Sequence, residues 1–130
     1  MTDPIWSLRE TVLSLQLQTL SLFGGLEGIR DESMLDSALK RPVNLQGYQP
    51  NASVHELAGA YAFGLVKNHP FLDGNKRIAF LSCALFLEAN GWRFQGSEAE
   101  AVLKTLALAA SELDEAGFAA WLEANSSPAS

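Results

Sequence analysis

A chain of 130 residues with 15 Asp and Glu against 9 Lys and Arg carries a net charge of −6 and a pI near 4.8. That length makes one domain able to bury about two-thirds of its unfolded surface, and 48% hydrophobic against 18% charged content belongs to a folded chain. The acidic balance excludes attraction to duplex DNA or RNA through a basic face. The lone Cys83 excludes an internal disulfide or a multi-thiolate metal site, and its place in an apolar run reads as a buried structural thiol. The longest apolar stretch, Ile78 to Leu87, falls well short of the roughly twenty residues that span a bilayer. With Asp3 and Glu10 and no basic opening, the N-terminus does not read as a secretory signal, so a soluble cytoplasmic protein is expected.

Helical signals fill the chain. Residues 5–22 place Leu8, Val12, Leu15 and Leu22 at helical spacing, with Leu13, Leu17 and Leu20 widening the apolar face, and Phe23-Gly24-Gly25 as the stop. Gly28 to Asp31 is a turn, and Asp31 or Ser33 caps a short helix reaching about Lys40, which Pro42 prevents from continuing far. Arg41 to Pro50, with two prolines, Gly47 and no 3.6-residue period, reads as a surface loop or irregular hairpin. Ser53-Val54-His55-Glu56 is a capping box for a helix whose stripe is Val54, Leu57, Ala58, Tyr61 and Leu65. His69-Pro70 ends that helix. The next runs from about Asn75 to Ala89, apolar on nearly all sides, and reads as a central buried helix. Trp92 to Gly96 is a short extended link. Ser97 to Glu100 opens a helix with Val102, Leu106, Ala109 and Leu113 in register, and a last helix covers Asp114 to Ala124. The expected fold is all-α: a single-domain bundle of about six helices over residues 1–124, with residues 125–130 a frayed tail.

Chemistry concentrates in Asn68-His69-Pro70-Phe71-Leu72-Asp73-Gly74-Asn75-Lys76-Arg77. Taken singly, these residues are a helix stop, a cap, a turn glycine and two solvated cations. Together they conflict with an ordinary helix start. Lys76 and Arg77 occupy a first turn, where the helix dipole disfavours each cation by roughly 0.3–1 kcal/mol. A bound anion would remove the conflict, held by the first-turn amides near Gly74, Asn75 and Lys76 with both cations. Asp73 beside a phosphate site is a carboxylate placed to hold Mg²⁺. His69 is the neighbouring group whose ordinary pKa suits accepting a hydroxyl proton near neutrality. These are the parts that phosphoryl or nucleotidyl transfer requires.

His69 to Arg77 resembles the signature of the Fic/Doc superfamily, and Lys76 resembles the Doc (death-on-curing) branch, since Fic-type AMP-transferases usually carry glycine there. The similarity extends over Gly24-Gly25, Gly28 to Asp31, Leu35, Ser37 to Leu39, Arg41-Pro42, Phe86 to Gly91 and Trp121-Leu122, from about Pro4 to Leu122. It implies a compact helical bundle in which His69 is the general base, Asp73 holds Mg²⁺, Gly74 and Asn75 form an anion hole, Lys76 and Arg77 grip nucleotide phosphates, and Phe71 anchors the loop. It also implies a bacterial toxin that transfers the γ-phosphate of ATP to a threonine of elongation factor Tu, halting translation. Its partner would be a Phd-type antitoxin whose C-terminal segment folds onto it. Four departures stand out, the first being Gly74, which is as in Fic proteins where the best-known Doc motif has alanine. Gln16 occupies the place of a first-helix histidine common in Doc relatives, and Phe80 occupies that of a second arginine favoured in Fic proteins. Ser111 to Ala116 approaches a self-inhibitory Fic motif but ends on alanine, so no built-in inhibition is expected.

Two other readings stay open: AMP transfer to a protein hydroxyl on the same scaffold, and a catalytically weak module that mainly binds an antitoxin. His55, in a first helical turn, reads as a surface or partly satisfied histidine. Arg30-Asp31 reads as a turn with a cap, and Trp6, Trp92 and Trp121 as packing residues. Tyr48 and the 41–50 segment lie where a target peptide would dock by analogy with Fic enzymes. Residues 98–123 hold six acids and one base, while Lys67, Lys76 and Arg77 are interrupted only by Asp73, an arrangement that suggests a local cationic pocket.

Overall fold

The computed structural model describes residues 3–7 and 9–129. Six helices follow one another: α1 (Arg9–Phe23), α2 (Glu32–Tyr48), α3 (Val54–Asn68), α4 (Asn75–Ala89), α5 (Glu98–Ala109) and α6 (Glu115–Ala124). Two short strands, β1 (Trp92–Phe94) and β2 (Ser126–Pro128), pair antiparallel. The all-α bundle expected from periodicity is the observed architecture.

Helix α3 packs against α2, α4, α5 and α6, and its small residues make this possible. Ala58, Gly59, Ala60, Ala62 and Gly64 are all buried, so neighbouring backbones approach closely. Opposite them, Leu57, Tyr61 and Leu65 fill the core with Phe86, Phe118 and Leu122. Helix α4 lies alongside, burying Ile78, Ala79, Ser82, Cys83, Phe86 and Leu87 at helical spacing. Cys83 is fully buried, and desolvation pushes its thiol far above the ordinary range, as a structural role requires. Ser53 caps α3 with the full reciprocal box, Ser53 Oγ accepting from Glu56 N–H at 3.1 Å and Glu56 Oε1 from Ser53 N–H at 2.9 Å.

Several expectations change. Residues 41–48 are helical: α2 continues through Pro42, which is buried. Proline removes the amide that would bond Ala38 C=O, at a cost of roughly 3 kcal/mol in an isolated helix. Here Leu35, Ala38 and Pro42 form one buried stripe, and Gly64 of α3 comes against Ala38 and its carbonyl. Arg41 secures the same turn, lying over the Phe63 ring at 4.3 Å and pairing with Glu115 at 2.5 Å. Residues 126–128, expected to fray, form β2 instead: Gln95 N–H donates to Asn125 C=O at 2.7 Å and Ala129 N–H to Gly91 C=O at 2.9 Å. Backbone pairing completes β1 whatever the side chains. In α1, Val12, Leu15, Gln16 and Thr19 are buried while Leu17 and Leu22 are exposed; Leu8 lies outside the described residues. In α5 the buried stripe is Ala101, Thr105 and Leu108, one residue off the expected register, leaving Val102 and Leu106 exposed. Trp6, Trp92 and Trp121 pack against Phe86, His55 and the Phe80–Phe94–Phe118 group respectively.

His55 is not at the surface. It is 3% exposed, edge-on to Trp92 with ring centroids 4.5 Å apart, and its Nε2 has no hydrogen-bond partner. Burial lowers its pKa, partly opposed by the Glu123 carboxylate. The unfolded chain therefore binds the His55 proton more readily than the folded one. Stability from this residue is complete above the ordinary histidine value of about 6.5 and falls as pH drops toward the lower folded value, by at most about 1.4 kcal/mol per pH unit. Denaturant titrations between pH 7 and 5 should show this slope, and His55→Leu should flatten it. A Cβ on Gly64 would meet Ala38 backbone atoms at 3.1 Å, whereas one on Gly59 meets Ala119 at an ordinary 3.4 Å. Gly64→Val is expected to lose roughly 1–3 kcal/mol. Gly59→Ala should instead be neutral or gain up to about 1 kcal/mol in helix propensity, and thermal melts of both variants check the contrast.

Candidate active site

The loop between α3 and α4 is shaped by its own residues. His69 is the C-cap of α3 in the left-handed conformation, φ 51° and ψ 54°, because Pro70 denies it a right-handed helical one. Its N–H still reaches Leu65 C=O at 3.2 Å. Phe71 is fully buried. Asn75 faces inward, 4% exposed, and closes the loop on itself: Oδ1 accepts from Phe71 N–H and Nδ2 donates to Phe71 C=O, both at 2.9 Å. Gly74, at φ 87°, is the N-cap of α4 and supplies a conformation that favours glycine.

A second segment clamps the loop from outside. Residues 28–31 run antiparallel to 69–72: Leu72 N–H donates to Gly28 C=O at 3.0 Å, and the amides of Arg30 and Asp31 both donate to Pro70 C=O, at 2.6 and 3.1 Å. The Arg30 guanidinium donates to the carbonyls of Asn68 and His69 at 2.8 and 2.7 Å, so a cation satisfies the C-terminal end of α3. Asp31 caps α2, and hydrogen bonds from Ser33 and Met34 hold its carboxyl below the ordinary range. The turn reading of Arg30-Asp31 stands, and the same turn orients the His69 backbone.

Gln16 is the residue that sequence reasoning left without a role. It is buried, and its side-chain amide joins three segments: Oε1 accepts from Gly28 N–H at 3.2 Å, while Nε2 donates to Gly28 C=O at 3.0 Å and to Asp73 C=O at 3.4 Å. A polar residue on the inner face of α1 was the available signal, masked by the leucines around it. Asp73 is half-buried. Its Oδ2 accepts from Leu26 N–H at 2.6 Å, and Gly25 lies so close that a Cβ there would sit 3.0 Å from Asp73 Cβ. The glycine-rich 24–28 segment thus seats the carboxylate.

A cleft of about 660 Å³ opens between the α3–α4 loop and helices α4 and α5. Its polar wall is His69, Asp73, Gly74, Lys76 and Arg77; its apolar wall is Phe80, Leu81, Phe94, Val102 and Leu106, from α4, β1 and α5. His69 and Lys76 are exposed, and the half-buried Arg77 guanidinium lies over the Phe23 ring at 3.6 Å. Neither Lys76 nor Arg77 pairs with a carboxylate among the described residues. Lys67 belongs elsewhere: its Nζ donates to Ala109 C=O at 3.2 Å and to Ser111 Oγ, so two cations rather than three face the cleft. The Asn75 side chain is spent on Phe71, which leaves its backbone, with that of Gly74, for an anion. Helices α2, α3, α5 and α6 each carry a side-chain cap and an acid in the first turn. Helix α4 has neither, and two cations instead. Its first-turn amides therefore face an uncompensated positive end.

The segment expected to receive a target peptide does not reach this cleft. Tyr48 and Arg41 line a separate groove with Glu56 and Glu115. The glutamate of the near-match to the inhibitory motif, Glu115, also lies in that groove and pairs with Arg41. Asn75→Ala would leave the buried Phe71 N–H and C=O unpaired, at roughly 1–3 kcal/mol for each group. Lower denaturation midpoints, with faster hydrogen exchange at Phe71 and Leu72 than at α6, are the expected result.

Comparison with known proteins matches the Fic/DOC family over residues 6–87. The chain is 34% identical over 108 residues to Toxin Doc of Mycolicibacterium smegmatis, covering 75% of this chain and 83% of that protein. It is 30% identical over 82 residues to Protein kinase doc of Escherichia phage P1, covering 63% of this chain and 65% of that protein. This chain belongs to the Fic/Doc family.

Proposed function

We propose that this Fic/Doc protein is the toxin of a bacterial toxin–antitoxin pair, acting in the cytoplasm as a protein kinase that moves the γ-phosphate of ATP to a protein hydroxyl. The acceptor implied by the resemblance is a threonine of elongation factor Tu, and the implied partner is a Phd-like antitoxin. One observation carries the reading: α4 alone, among the five helices with a described N-cap, opens without a capping side chain or an acid, and it points two unpaired cations into a cleft that also holds His69 and Asp73. An electropositive helix start of this kind is matched by a polyphosphate. The printed names of the two relatives, a toxin and a protein kinase, support the same direction.

The roles in this reading are as follows. The donor's terminal phosphate sits on the amides at Gly74 and Asn75, with Lys76 and Arg77 against its oxygens. The His69 imidazole takes the proton of the acceptor hydroxyl as that oxygen's electron pair forms the new O–P bond. The bond between the γ-phosphorus and its bridging oxygen breaks, and its electron pair leaves on ADP. Asp73 fits a magnesium site: Oδ2 accepts Leu26 N–H, leaving Oδ1 for a cation, and no cluster of three acidic, His or Cys ligands occurs among the described residues. A lone carboxylate is how Mg²⁺ is held when phosphates and waters supply the other ligands, and the ion would supply charge neutralisation on the polyphosphate. Gln16 and Arg30 act through the loop, fixing Asp73 and His69.

The test is to incubate the protein, or a His69→Ala control, with bacterial lysate and ATP labelled at the α or the γ position. Protein label from γ alone, reduced by about 100-fold or more in the control, is the expected result. Label from α would identify AMP transfer instead. No His69-dependent label from either position would leave a partner-binding module.

A further inference from the structure

His69 and Lys76 line two depressions, not one. Besides the cleft over α4, a groove of about 570 Å³ runs between the end of α3 and α5, lined by Val66, Leu103, Leu106, Ala107 and Ala110, with Glu112 as its carboxylate. The observed register of α5 sets its apolar wall. With Ala101, Thr105 and Leu108 turned to the core, Leu103 is 66% exposed and Leu106 43% exposed. Lone exposed leucines are ordinary, but here they flank small alanines beside the proposed base.

We infer that this α3–α5 groove is the docking site for the acceptor protein, seating an extended segment with apolar side chains beside the reacting hydroxyl and a basic residue facing Glu112. The inference rests on the phosphotransfer reading above and specifies its acceptor. Continuity with the catalytic cleft is the first argument. A hydroxyl must come within hydrogen-bond reach of the His69 imidazole while lying in line with the breaking bond. The donor fills the side of His69 that faces α4, so the acceptor enters from the other, where this groove lies. Charge is the second argument. Glu112 is the carboxylate of the groove's lining, exposed and in no ion pair among the described residues, while Lys76 stands at the end shared with the catalytic cleft. A Lys or Arg side chain is therefore favoured at the Glu112 end of the groove, and an acidic one is repelled at that end. The groove lined by Tyr48 shares no residue with the catalytic cleft, whereas the α3–α5 groove shares His69, Lys76 and Leu106 with it.

The experiment uses the intact chain and its Leu103→Asp and Glu112→Lys variants, both at exposed positions. Acceptors are bacterial lysate protein and an array of threonine peptides whose flanking residues are apolar, basic or acidic. Nucleotide affinity is followed separately with a fluorescent ATP analogue. The wild type should favour peptides with apolar and basic flanks. Leu103→Asp should raise the acceptor KM by about ten-fold or more while leaving nucleotide affinity and saturated kcat within about two-fold, and Glu112→Lys should remove the preference for basic flanks. Unchanged acceptor KM and unchanged flank preference in both variants would overturn the groove alone. Weakened nucleotide binding in Leu103→Asp would also overturn it, by assigning the residue to the donor side. A wild-type dimer that Leu103→Asp dissociates in sedimentation would give the groove to a second copy. A wild type that labels no acceptor at all would overturn the phosphotransfer reading and this inference with it.

Discussion

The pair of hydrogen bonds between the Asn75 side chain and the Phe71 backbone is the constraint on which the site depends. Phe71 is buried and so are its amide and carbonyl; neither can reach water, and Asn75 supplies the one donor and one acceptor that both require. The closed ring fixes the loop from Phe71 to Asn75 where it leads into helix α4, and the direction of everything around it follows. His69 is turned off the end of α3, Asp73 is aimed at the glycine-rich segment, and Gly74 brings the chain into α4 with its first amides uncapped. Backbone pairing with residues 28–31 then adds a second rail, and Gln16 bolts the two together.

The electrostatics of the molecule divide along the same line. Acidic residues sit where helix dipoles welcome them, at the starts of α2, α3, α5 and α6. One helix start breaks the pattern, and it is the one that the closed loop leads into. A polyanion there removes a penalty the protein otherwise carries in its free state, so recognition and local stability are coupled at a single place. The net charge of −6 hides this, because most of it belongs to residues 98–123.

How much of this could be read beforehand depended on the kind of interaction involved. Helices α3, α4 and α6, and the caps at Asp31, Ser53 and Ser97, rest on local chemistry within a few residues, and their sequence is explicit. Pro42 misled because its cost is local, while the packing of Ala38 against Gly64 that outweighs it is made by residues distant in the chain. The tail misled for a related reason, since backbone pairing of Ser126–Pro128 with Trp92–Phe94 leaves no mark in side-chain composition. The residue types of the site were legible as a contiguous motif. The supports were not: Gln16, Arg30 and the Gly25–Asp73 contact come from other segments, and only the fold brings them to the loop.

The turn after α4 holds both ends of the described structure. Asn90 exchanges two hydrogen bonds with Ile5, and Gly91 accepts one from Ala129. A pull applied between residues 5 and 129 loads these bonds first, together with the adjoining β1–β2 pairing. The helices and the loop at the opposite end of α4 stay off the line of force until those bonds shear. Mechanically, the bundle hangs from one short clasp, and the site lies outside the loaded path.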